Sequence, residues 1–81
     1  MIGEIKMHDV VALMQDVRTK NFESGQPVLL RRGQIGTVVM TYQDGAYEVE
    51  FADRDGRAFA ILPVKPDQLM VLHDTPDFAA A

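Results

Sequence analysis

An all-β domain of five short strands is what this sequence predicts, and three observations carry the prediction. Residues 33–51 form one stretch of two strand-like runs joined by Asp44-Gly45. A second pair, Asp55-Gly56, lies among charged residues and joins the third run to a fourth, Ala58-Phe59-Ala60-Ile61-Leu62-Pro63-Val64. Asp-Gly supplies the positive φ that a tight hairpin turn demands, so each pair predicts a hairpin. Third, Pro66-Asp67-Gln68-Leu69 fits a single helical turn, with proline fixing φ at its start, before a last apolar run at 70–73. Five short strands with a one-turn helix before the last describe a small SH3-like barrel. Curling the sheet nearly closed hides the edges that an open sheet would expose.

The first strand is expected at 9–14, Asp9-Val10-Val11-Ala12-Leu13-Met14, apolar on both faces as a strand buried inside a small barrel is; a helix is the competing assignment. Residues 15–27 lose clear period and end in the breakers Ser24-Gly25-Gln26-Pro27, which predicts a long loop with room for one helical turn. Val28-Leu29-Leu30 packs that loop down before Arg31-Arg32-Gly33. In the second strand Ile35, Thr37, Val39 and Thr41 are expected to point one way and Gly36, Val38, Met40 and Tyr42 the other. Gly36 marks a close approach or a sharp bend.

Alternation in the third strand sets Tyr47, Val49 and Phe51 against Glu48 and Glu50, and Phe59 and Ile61 of the fourth strand are expected to join the first three in one core. Pro63 lacks an N–H, so its end of the fourth strand lies on an edge or leaves the sheet. The expected organisation is an N-terminal extension at 1–7, one barrel domain at 8–73 and a flexible C-terminal tail at 74–81. No internal repeat is visible.

The chain has 81 residues, 47% hydrophobic and 25% charged, the composition of an ordinary globular domain with a thin core. No apolar run approaches the roughly 20 residues that span a bilayer. The N-terminus carries Glu4 before any apolar stretch and lacks the basic start of a secretory leader, and the chain has no cysteine, so a cytoplasmic location is expected. The net charge is −4. It is unevenly spread: residues 44–81 hold eight acids and three bases, −5, whereas residues 1–43 hold four acids and five bases, +1. Arg18, Lys20, Arg31 and Arg32 are concentrated in one connecting region.

Five motifs agree in order with a known family. Asp9-Val10-Val11-Ala12-Leu13, Gly33-x-x-Gly36-Thr37-Val38-Val39, Asp44-Gly45-Ala46-Tyr47-Glu48-Val49-Glu50-Phe51, Asp53-x-Asp55-Gly56 and Asp67-Gln68-Leu69 resemble those of short bacterial proteins known as domain of unknown function family 4926. The resemblance covers residues 8–73 and implies an SH3-like barrel, with no activity, cofactor or catalytic residue to carry over. Six residues precede Met7, and the 15–32 connection is longer than is usual in that family. Gly33-x-x-Gly36-Thr37-Val38-Val39 followed by a hairpin is also similar to a ribosomal and transcription-factor motif whose loops meet RNA through basic residues. Here the hairpin carries Asp44, Glu48 and Glu50 instead, the wrong sign for a phosphate backbone.

A search for chemistry yields little. His8-Asp9 and His73-Asp74 lie on the first and last strands, which neighbour each other in such barrels, but two His-Asp dipeptides lack the fixed spacing of a metal motif. Asp53-x-Asp55-Gly56 fails as a calcium loop, whose first and twelfth positions fall on Phe51 and Leu62. Ser24, the only serine, has no nucleophile elbow. Gly33-x-x-Gly36 has no following helix to hold a phosphate. The chain has no Trp to line a proline-binding groove.

No catalytic residue, cofactor or metal is therefore expected. The expected function is a non-catalytic protein-interaction module that binds a protein partner or itself, with no membrane partner. It would act through the 15–32 loop and an exposed strand edge, using Arg18, Lys20, Phe22, Arg31, Arg32 and Tyr42. The alternative, disfavoured by charge, is a nucleic-acid-associated barrel using Arg18, Lys20, Arg31 and Arg32.

Overall fold

Both Asp-Gly pairs turn the chain in the computed structural model, which describes residues 5–78. The Tyr42 carbonyl accepts from the Gly45 N–H at 3.0 Å and the Tyr42 N–H donates to Ala46 O at 2.9 Å; Asp53, Gly56 and Arg57 repeat the pattern at 3.0 Å. These are three-residue loops ending in a left-handed glycine, with φ of 92° at Gly45 and 80° at Gly56. Gly45 and Gly56 thus have the positive φ expected of them, and the aspartate before each does not. The aspartates act through their side chains instead: Asp44 Oδ1 accepts from the Ala46 N–H at 3.0 Å, and Asp53 Oδ1 from Asp55 at 2.9 Å and Arg57 at 3.0 Å. Gly45→Val or Gly56→Val should each destabilise by about 1–2 kcal/mol or more, since a side chain in left-handed backbone crowds the next carbonyl. Asp44→Asn should cost less, and urea denaturation of the variants compares them.

Seven strands result: β1 Val10–Leu13, β2 Val17–Lys20, β3 Pro27–Leu30, β4 Ile35–Thr41, β5 Tyr47–Ala52, β6 Ala58–Val64 and β7 Leu69–Val71, with a 3-10 turn over Pro66–Gln68. The domain is all-β, as expected. Five strands form one antiparallel sheet in the order β6-β5-β4-β1-β7, and β2 and β3 form a separate hairpin. The first strand is thus a strand and not a helix. Pro63 lies on an edge strand, as its missing N–H requires. The last strand begins at Leu69, one residue early, and stops at Val71. No helix among the described residues is long and apolar enough to cross a membrane.

Two expectations fail here. The predicted long loop is mostly the β2–β3 hairpin, whose connection is closed by Asn21 N–H to Gln26 O at 2.8 Å and by Asn21 Oδ1 accepting from Glu23 and Ser24. The Ser24-Gly25-Gln26 cluster turns a hairpin rather than opening a loop. The sheet also does not close into a barrel: no pairing joins β6 to β7 among the described residues. The physical reason is that the hairpin covers the inner face. Leu30 is fully buried there, with Val17 and Val28 packed against the core, so the sheet has no need to curl onto itself.

That inner core holds Val11, Leu13, Val38, Val49, Phe51, Ala60, Val64 and Leu69, and Ile5 from the expected extension packs into it. Tyr47, Val49 and Phe51 share one face as expected. Two bulges alter the rest. Between Val38 and Met40 the register shifts, so that Met40 lies opposite Glu48 and faces away from the core rather than beside Val38. A second shift near Phe59 pairs Phe51 with Ala60 and Glu50 with Ile61, turning Ile61 outward and leaving Phe59 partly buried. The core position expected of Ile61 passes to Ala60 and Val64, while Phe59, like Leu62, packs partly buried against that core. Residues 74–78 of the expected tail carry no regular structure, and 1–4 and 79–81 lie outside the described residues.

Candidate functional site

Because β1 is apolar at every position, only half of it can be satisfied by the core. Val11 and Leu13 are fully buried inward, so alternation turns Val10 and Ala12 to the other face of the sheet. Register then fixes their neighbours: Ala12 lies between Ile35 of β4 and Met70 of β7, and Val10 lies beside Thr37. The Val10 carbonyl accepts from the Leu72 N–H at 2.9 Å, which brings Leu72 alongside. The larger side chains of this face are open: Val10 is 44%, Ile35 56% and Met70 48% exposed. Ala12, with its small side chain, is only 9% exposed between two longer apolar neighbours.

The same face continues across β4, β5 and β6. Thr37 pairs with Glu50 and Glu50 with Ile61, while Met40 pairs with Glu48 and Glu48 with Pro63. The two charges among these paired positions, Glu48 and Glu50, are both acidic. Among the described residues no Lys or Arg comes within ion-pair distance of either glutamate, the two ion pairs being Arg31–Asp16 at 3.5 Å and Arg57–Glu23 at 3.1 Å. The Tyr42 hydroxyl donates to Glu48 Oε1 at 2.7 Å, and that hydrogen bond, before burial and the charges of Glu48 and Asp44, raises the Tyr42 phenol above its ordinary value. With the folded value raised, the contact stabilises the fold below the ordinary phenol range and is lost as pH rises through the folded value. Glu48→Gln should bring the phenol back down, read from tyrosinate absorbance.

At the end of β1 and β7 a shallow cleft of about 390 Å³ is lined by His8, Asp9, Val10, Leu72, His73 and Asp74. The two His-Asp dipeptides line the same cleft, on neighbouring strands as expected. No group of three metal-binding side chains forms among the described residues. His8 has φ of 71°, held by its N–H on Val38 O at 2.8 Å and by Asp9 Oδ2 accepting from the Lys6 N–H at 2.8 Å. This bend carries the chain off the sheet next to Val10.

Five of the residues singled out from the sequence lie on or beside the β2–β3 hairpin, and the sixth, Tyr42, lies on the sheet. Arg18 and Lys20 are exposed on β2, opposite Leu29 and Pro27. Phe22 is exposed in the hairpin connection, where its N–H donates to Phe59 O at 3.1 Å. Arg31 and Arg32 occupy the β3–β4 turn around Asp16, whose Oδ1 accepts from the Arg32 N–H at 2.7 Å. Tyr42 alone belongs to the outer sheet face. Sequence reasoning missed Val10, Ala12, Ile35 and Met70; the signal was the unbroken apolar run of β1, read as a strand buried on both sides.

The family model described as Domain of unknown function (DUF4926) matches residues 7–71, and the chain belongs to that family. No curated protein and no solved structure matches the chain.

Proposed function

We propose that this DUF4926 member is a non-catalytic protein-interaction module whose docking surface is the outer face of the five-stranded sheet. A single observation carries the reading: Val10, Ile35, Met70 and Leu72 form a continuous apolar patch around Ala12 with nothing packed on it among the described residues. Apolar residues scattered singly over a surface are ordinary, whereas a contiguous patch with a charged rim marks an interaction site. The strand order, with the first strand between β4 and the last and a 3-10 turn before the last, supports an SH3-like domain left open on one side.

The test is affinity capture from cells that make the protein, followed by reconstitution with the purified partner. Val10→Asp with Ile35→Asp should leave the fold intact, since both side chains are exposed, and should abolish the complex. Arg31→Ser with Arg32→Ser should leave it in place. A complex lost only in the arginine variant moves the interface to the hairpin end. A salt-sensitive, sub-micromolar nucleic-acid complex lost with those arginines replaces the reading altogether, because non-specific binding is only about 10⁻⁴ to 10⁻⁶ M at physiological salt.

A further inference from the structure

We infer that the partner of this face is cationic: a protein segment that presents Lys or Arg beside an apolar side chain. The inference rests on the docking reading above and adds the partner's chemistry. Its basis is the pattern of charge on the face. One row reads Ile35, Ala12, Met70 across three strands, and the next reads Ile61, Glu50, Thr37, Val10, Leu72 across five. Adjacent strands lie about 4.8 Å apart and same-face residues of one strand about 6.6 Å apart. An apolar side chain seated over Ala12 therefore has Glu50 within reach of a basic residue on the same segment.

Among the described residues the acids of the face have no basic partner. Glu48 takes only the Tyr42 hydroxyl, and Glu50 and Asp74 accept no hydrogen bond from a described side chain. A carboxylate flanked by apolar side chains and left without a cation is a poor surface to bury against a neutral or acidic partner, because burial removes its water and returns nothing. The same argument disfavours a second copy. In a two-fold dimer the patch meets itself, so Glu48 and Glu50 of one copy face those of the other or its apolar side chains. A cation from the partner answers the charge, and the net −4 of the chain steers it in.

Three synthetic amphipathic peptides test this against the full-length, isotope-labelled chain: one of Leu and Lys, one of Leu and Gln, one of Leu and Glu. The Leu/Lys peptide should shift the backbone amides of β1, β7 and the start of β4, more tightly at low salt, and the Leu/Glu peptide should not. Glu48→Lys with Glu50→Lys should weaken it by at least about tenfold. A charge-matched variant away from the face, Asp55→Lys with Asp67→Lys, should weaken it far less. Equal loss in the two variants shows attraction by net charge alone and overturns the inference. Equal binding of all three peptides also overturns it and leaves the docking reading standing. Shifts elsewhere, or none, overturn it as well, and the captured partner then judges the docking reading separately. Amides of the face that move with protein concentration alone, without peptide, assign the face to a second copy instead.

Discussion

Phe51→Ala is expected to lower the unfolding free energy by about 3–5 kcal/mol, the cost of removing a buried aromatic side chain and leaving a cavity. Phe51 is the largest side chain with no exposure, and it sits in β5 opposite Ala60, in one core with Val38 and Val49. A domain of 81 residues has on the order of 4–12 kcal/mol in total at the usual stability per residue. The variant should therefore populate unfolded chain at ambient temperature, read by urea denaturation followed by far-ultraviolet dichroism. Ile61→Ala is the paired control. Its side chain faces outward opposite Glu50 and is 40% exposed, so its loss should cost well under half as much. Equal costs would place Ile61 in the core and restore the register that simple alternation gives.

How far the sequence foretold the molecule depends on whether a constraint was local. The turns at Gly45 and Gly56 were legible because a left-handed residue must be paid for at its own position, and glycine removes that cost. The inward set Tyr47, Val49 and Phe51 was legible because glutamates alternate with it. The bulges were not. Nothing in Val38-Val39-Met40 announces that one residue falls out of register, yet that shift turns Met40 from the core to the outer face. Nor was the hairpin visible, because Val17-Arg18-Thr19-Lys20 is a period-2 pattern four residues long, held by the packing of Leu30 and Val28 rather than by its own propensity.

The outer face was half legible for a related reason. An apolar residue at every position of β1 signals two apolar environments, and a chain this small makes a fully buried strand the natural reading. What decides otherwise is the β2–β3 hairpin, which supplies the second layer on one side only. Tyr42 was found and the apolar residues at the other end of the face were not, because an exposed tyrosine is recognised by type, whereas Val10 and Ile35 are recognised only by what fails to cover them.

Gly36→Val is expected to unfold the domain outright or nearly so, although nothing is unusual in the backbone at that glycine. The constraint is space. A Cβ built on Gly36 would lie 2.6 Å from Val49 Cγ1 and 2.8 Å from Phe51 Cε1, distances at which something must move. Gly36 pairs with Val11 in the middle of the sheet, so the strand cannot retreat without breaking the ladder that also carries Val10 and Ala12. Forced methylenes in a packed core cost about 1–3 kcal/mol, and Gly36→Ala should fall in that range, while valine adds two more methyl groups to the same wall. A double-mutant cycle isolates the cause: Gly36→Ala should cost at least about 1 kcal/mol less when Val49 is already Ala, because residues in contact couple. If the two substitutions simply add, the clash is not the reason for glycine there. Because β1 and β4 carry the proposed docking face together, any Gly36 variant that does fold should also bind less well than Gly45→Val at matched stability.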